Sequence, residues 1–233
     1  MSNGYATTSY PNGVTNAPIG TTLQSFNDTD WTINHTYFND FDTYAAGDWT
    51  NTATGSVTNS IVAGDGGWLS MLNSASSADL NSLQIKAATF ALVAGKQAWF
   101  KTRFKVSNAT NANLVIGLIQ TTTTPLTVTD GVYFIKAAAS TTLIARTTAS
   151  STTSSVNVAT MANDTFVTVG WHYDGNGLIN VFYGGNKVAS LPTTNLPTAA
   201  LNLTIAESNG TAAAITTTVD YVFASTERAS TTY

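Results

Sequence analysis

The sequence predicts an all-β protein: a two-sheet antiparallel β-sandwich, or jelly roll, preceded by an extended N-terminal arm. Three observations carry this expectation. Short runs of β-branched and aromatic residues recur along the chain, each closed by Gly, Asn or Asp. Where a run is long enough to test, apolar and polar residues alternate with period two, and no segment forces a period of 3.6. About one residue in six is Thr, far above ordinary usage, and only 9% of residues are charged.

Residues 1–34 read as the arm. Pro11-Asn12-Gly13 and Pro18-Ile19-Gly20 interrupt regular structure, and no charge precedes Asp28. Apolar residues recur sparsely, and Tyr5, Tyr10, Ile19, Phe26 and Trp31 are the candidate anchors on a partner or neighbouring subunit. A solvated leader is the plainer alternative, although free tails are usually highly charged and poor in aromatics.

Residues 35–228 read as the sandwich and 229–233 as a short tail. Stretch 97–106 alternates cleanly, with Phe100, Phe104 and Val106 on one face and Trp99, Lys101, Arg103 and Lys105 on the other. Stretch 114–119 is apolar on both faces, as a central strand is. Stretches 166–174 and 178–183 flank Asp174-Gly175-Asn176-Gly177, a hairpin signal because these residue types tolerate positive φ. Further strands are expected near 36–42, 56–62, 68–72, 82–88, 131–138, 142–146, 155–160, 187–191, 201–207 and 214–224. Turn residues at Asp65-Gly66-Gly67, Asp130-Gly131, Gly184-Gly185-Asn186 and Asn209-Gly210 separate them. Residues 74–83 amount to one helical turn at most. Fourteen short strands so spaced make a sandwich.

The chain has 233 residues, within the range of a single all-β domain. Its 5 Trp, 9 Tyr and 10 Phe can fill a sizeable core. A net charge of −4 supplies no field for nucleic acid or an anionic membrane. With no Cys, a disulfide scaffold and thiolate metal sites are excluded. The N-terminal residues lack the basic and apolar regions of a secretory signal, and no run approaches the roughly 18 apolar residues of a membrane span. Asn-X-Ser/Thr triplets at Asn27, Asn34 and Asn108 are accidents of an Asn- and Thr-rich composition.

Reactive groups are scarce. Asp28/Asp30 and Asp40/Asp42 are i, i+2 pairs that could supply half of a Ca²⁺ site, but no Asp-X-Asp-X-Asp-Gly loop follows and solvated carboxylates are the simpler reading. Retaining glycosidases need two carboxyls roughly 5 Å apart. The only two Glu, Glu207 and Glu227, belong to no Glu-X-Asp-X-Glu strand. His35 sits at the arm boundary, His172 reads as a packed strand residue, and neither a Gly-X-Ser-X-Gly elbow nor a phosphate loop occurs. The sequence therefore predicts no catalytic residue, cofactor or metal site.

Two features remain. Lys96, Lys101, Arg103 and Lys105 fall within ten residues, three of them on one strand face beside Trp99, which makes Trp99, Lys101, Arg103 and Lys105 a candidate docking surface; a solvated outer face is the plain alternative. Trp49, Trp68 and Trp171 could stack on carbohydrate if exposed, which strand register decides.

Stretch 97–106, Leu114-Val-Ile-Gly-Leu118, Gly131-Val-Tyr-Phe-Ile135 and the hairpin 174–188 resemble the middle of concanavalin A-like, laminin G-like jelly rolls. Phe41-Asp-Thr-Tyr-Ala-Ala-Gly-Asp-Trp49, Thr124-Pro-Leu-Thr-Val-Thr-Asp-Gly131, Ala162-Asn-Asp-Thr-Phe166 and Val219-Asp-Tyr-Val-Phe-Ala224 extend the series. Together they resemble virion structural proteins of tailed bacteriophages that decorate or cement the capsid. That resemblance implies a non-enzymatic protein made in the host cytoplasm and placed on the outer surface of the virion. It would bind the major capsid protein through the arm, and the geometry of a shell favours self-association as a trimer at local threefold positions. It offers no catalytic residues, and the chain lacks a recognisable lectin metal loop. The alternative is a carbohydrate-binding, host-adhesion module of the jelly-roll lectin type.

If the arm grips the shell, deleting residues 1–30 abolishes binding to undecorated capsids while the circular dichroism of the sandwich is unchanged. Unaltered saturation of shells by the truncated chain overturns the arm assignment.

Overall fold

The computed structural model describes residues 34–228. Asp28, Asp30 and the candidate anchors Tyr5, Tyr10, Ile19, Phe26 and Trp31 lie outside the described residues, as does the tail 229–233. The described chain is built of β1 (Asn34–Asn39), β2 (Trp49–Thr54), β3 (Val57–Val62), β4 (Trp68–Asn73), β5 (Leu80–Ile85), β6 (Ala98–Val106), β7 (Ala112–Ile119), β8 (Gly131–Lys136), β9 (Thr142–Ala149), β10 (Thr152–Thr160), β11 (Val167–Tyr173), β12 (Leu178–Tyr183), β13 (Asn186–Pro192), β14 (Asn202–Asn209) and β15 (Thr216–Glu227). Two single 3-10 turns, Ala46–Asp48 and Thr193–Asn195, complete it.

Every strand pair is antiparallel. The eight-stranded sheet runs β13-β12-β11-β6-β15-β4-β3, and β1 also pairs with β15; the seven-stranded sheet runs β10-β9-β8-β7-β14-β5-β2. β15 is long enough to hold two partners along one edge: Thr216–Val219 pairs with β4 and Val222–Glu227 with β1. A register shift between Val219 and Tyr221 separates the two halves.

The strands follow the sequence pattern, with one addition. β2 was not expected, because Trp-Thr-Asn-Thr-Ala-Thr carries no apolar alternation. It is an edge strand that buries Trp49 and leaves most of its other residues exposed, so hydropathy held no signal for it. The first strand ends at Asn39 rather than near 42. There the Asn39 side chain accepts the Phe41 N–H at 2.8 Å, and Phe41 adopts φ +54° to turn its ring into the core. At Gly55, where the chain crosses from one sheet to the other, φ is +79° and an added Cβ would lie 2.1 Å from the Asp79 carboxylate.

Two inner faces form the core. β6 alternates as expected, turning Phe100, Phe104 and Val106 inward and almost fully out of water. Phe100 stacks on Trp171 of β11 (centroids 5.9 Å, 18°) and reaches Phe134 of the opposite sheet at 6.4 Å. A buried aromatic of this kind contributes about 2–3 kcal/mol through apolar burial. Outside the main core, the 120–130 loop lays Leu126 and Val128 over Val115, Ile119 and Tyr133 on the back of the seven-stranded sheet. That sheet is thus shielded on both sides over these strands.

The interior is polar in places. Asn59 of β3 and Asn81 of β5 exchange amide hydrogen bonds across the sandwich at 3.3 and 2.9 Å. Glu207, on the inner face of β14, is fully buried and accepts a hydrogen bond from the Thr217 hydroxyl of β15. Its other oxygen has no hydrogen-bond partner. Burial pushes this carboxyl up to about 8, so it holds its proton near neutral pH. Lys136 is also buried, donates to the Ala112 carbonyl, and is pushed down to about 8 by the same desolvation.

Linkage gives the sign for Glu207. The unfolded chain loses this proton near pH 4.5 and the folded chain near 8, so the site lowers stability as pH rises through that interval. At about 1.4 kcal/mol per pKa unit, Glu207→Gln should gain stability relative to the parent by up to roughly 5 kcal/mol between pH 4 and 8. Urea unfolding at several pH values measures the gap; a pH-independent gap removes the assignment.

Candidate functional site

The outer face of the eight-stranded sheet collects the sequence-predicted surface residues. β6 points Trp99, Lys101, Arg103 and Lys105 outward, opposite the core residues. β11 brings His172 beside Trp99 and Thr168 beside Arg103; β15 brings Phe223 beside Lys101 and Tyr221 beside Arg103. Because both strands keep period two here, Tyr221 and Phe223 share the outer face with the cations.

Each cation lies against an aromatic ring. Arg103 covers Phe166 at 4.1 Å from the ring centroid, Lys101 lies 5.6 Å from Tyr221, and Lys105 lies 5.3 Å from Trp68 and 5.0 Å from Phe166. Trp68 meets Phe166 edge-on at 5.1 Å. Arg103 also donates to the Asp220 carboxylate at 2.6 Å. Asp220 is the unpaired residue in the β15 register shift, which is how it comes to face Arg103. Beyond β15, Phe38 of β1 stands beside Phe223 and is 58% exposed.

Among the described residues the Trp side chains do not form an open platform. Trp49 and Trp171 belong to the core. Trp99 is nearly buried and stacks on His172 (5.3 Å, 8°). Trp68 is half-buried beneath Lys105 and Phe166. His172 is a packed strand residue as expected: Nε2 meets Gln97 Oε1 at 2.8 Å. Burial pulls its pKa down, opposed by Asp174 and Glu227.

A second feature lies where β1 begins and β15 ends. His35, Thr89, Ala91, Val93, Thr226, Glu227 and Arg228 line a concavity of about 470 Å³. His35 Nε2 meets the Thr89 hydroxyl at 2.8 Å, and its ring tilts against Phe90 at 4.9 Å. Burial and then the Arg228 charge hold the imidazole below its ordinary pKa. Glu227 Oε2 accepts the Gln97 N–H at 2.7 Å. His35 reads in the sequence only as a boundary residue, and Thr89 and Arg228 carry no sign there: the β1·β15 pairing brings the end of β15 to His35, and a side-chain contact across 54 positions brings Thr89.

The chemistry available is limited by these placements. Glu207 is sealed between the sheets, and Glu227 lies at the end concavity. Asp40 and Asp42 follow β1 in a loop; partial burial, then Asp220, Asp42 and Asp65, push the Asp40 carboxyl above its usual range. Among the described residues no group of three or more His, Asp and Glu side chains is arranged to hold a metal ion.

No protein-family model and no curated protein matches the sequence. Solved structures do match. A protein of unknown function from Shewanella oneidensis MR-1, SO2946, superposes with a TM-score of 0.63 at 14% identity, over 86% of this chain and 89% of that one. The fold is a jelly-roll sandwich of two antiparallel sheets. A native glycosidic hydrolase follows with a TM-score of 0.57 at 13% identity (81% and 94% of the two chains), and the carbohydrate recognition domain of Emp47p with 0.54 at 12% (78% and 89%). Identities this low establish shared architecture and leave function to the site.

Proposed function

We propose that this chain is a non-catalytic recognition module whose ligand is a glycan held in the concavity between the start of β1 and the end of β15. The observation that carries the reading is the lining itself. An imidazole, a hydroxyl, a carboxylate and a guanidinium surround the apolar Ala91 and Val93. That mixture suits a polyhydroxylated ring, which offers donors and acceptors along its rim and C–H groups on its faces. The likeness to a carbohydrate recognition domain supports the reading. The likeness to a glycosidic hydrolase extends to architecture, since the sealed Glu207 cannot pair with Glu227 across a cleft.

A hydrogen bond to a charged group is worth about 1.5–3 kcal/mol. Arg228→Ala and Glu227→Gln should therefore each weaken the best binder on a glycan array at least about tenfold. Binding that survives both changes, or an array without binders, overturns the reading.

A second reading, decoration of a tailed-phage capsid, is supported by the motif series between Phe41 and Ala224 and by the aromatic–cationic outer face of β6. In this reading Trp99, Lys101, Arg103 and Lys105 contact the major capsid protein, and the protein sits on the outer surface of the virion. Co-sedimentation with undecorated shells, with no glycan bound, selects it over the first.

A further inference from the structure

Three chemistries lie in order across the outer face of the eight-stranded sheet. β6 presents Lys101 and Lys105, which have no carboxylate at ion-pair distance among the described residues. Next come the rings of Tyr221 and Phe223 on β15, followed by Phe38 on β1, whose side chain is largely in water. Beside Phe38 come Asp40 and Asp42 on the loop that follows β1, and Asp65 on the loop that precedes β4, with Asp40 within electrostatic reach of Asp42, Asp65 and Asp220. None of Asp40, Asp42 and Asp65 meets a cation at ion-pair distance among the described residues. Burial, and then the charges of Asp220, Asp42 and Asp65, push the Asp40 carboxyl up, which places these carboxylates around Asp40.

A strip that runs cationic, aromatic, acidic is its own complement when reversed. A two-fold axis through the aromatic middle sets Lys101 and Lys105 of one copy over Asp40 and Asp42 of the other, and the converse pair forms at the same time. The aromatic rows then cover each other, removing Phe38 from water. The cations need little ordering, because Lys101 already rests on Tyr221 and Lys105 on Trp68 and Phe166. We infer that this face is an interface between two copies of the chain, with the lysines of β6 paired to the aspartates that follow β1. The arrangement differs from the threefold order expected from shell geometry, and it is independent of whether the end concavity binds glycan.

Sedimentation equilibrium of the full-length chain tests it. The parent should weigh as a dimer at low salt and dissociate at least about tenfold more readily in 1 M NaCl, where screening is nearly complete. Lys101→Glu with Lys105→Glu, and separately Asp40→Lys with Asp42→Lys, should each weaken association by about a hundredfold or more, since like charges then face each other. Mixed in equal amounts, the two variants should form a heterodimer of parental affinity. A parent that is monomeric at low salt overturns the inference, as does a trimer or larger ring. So does association indifferent to both salt and charge reversal, or reversed variants that fail to recover on mixing although each folds by circular dichroism.

Discussion

The ladder between β6 and β15 is the constraint on which the rest of the molecule leans. It couples an inner row of Phe100, Phe104, Val219, Val222 and Ala224 to an outer row of cations and aromatics. Neither row can slip by one residue without sending lysines into the core and phenylalanines into water. One local irregularity is built into this ladder. The register shift between Val219 and Tyr221 leaves Asp220 unpaired and facing Arg103, and it restarts the strand in the register that receives β1.

What was legible in the sequence follows from which faces are half-buried. β6 showed both its inner and outer residues because one face is wet and one dry, so the alternation survives in the residue types. The Asp174–Gly177 hairpin was legible because the Asp174 carboxylate accepts the Asn176 and Leu178 N–H groups, an arrangement few residue types allow. β2 was not legible, since an edge strand with one buried side chain has no pattern to display. The end concavity was invisible for another reason. Its members come from chain segments joined only by sheet topology, and nothing local marks His35 and Arg228 as neighbours. Likewise, the sequence placed Asp40 and Asp42 together but held no sign that Asp65 and Asp220 join them.

The scarcity of charge acquires a structural meaning in this light. Threonine and asparagine carry the polar work inside the fold, as in the Asn59–Asn81 exchange and the Thr217–Glu207 contact. The few ionised groups on the outer sheet face are then conspicuous against a nearly neutral background. With so few competing charges, a small number of lysines and aspartates can set which way two surfaces turn when they meet.

The register that pairs Asn34 with Glu227 has a mechanical consequence. The two ends of the described body leave side by side from one end of one sheet. A load applied between them pulls along the direction that separates β1 from β15, so the hydrogen bonds of that ladder break one at a time, as in a zipper. A load on β15 against the opposite end of the sheet must instead slide whole ladders past one another at once. The body therefore yields softly to being pulled apart at its ends and resists being sheared along its length.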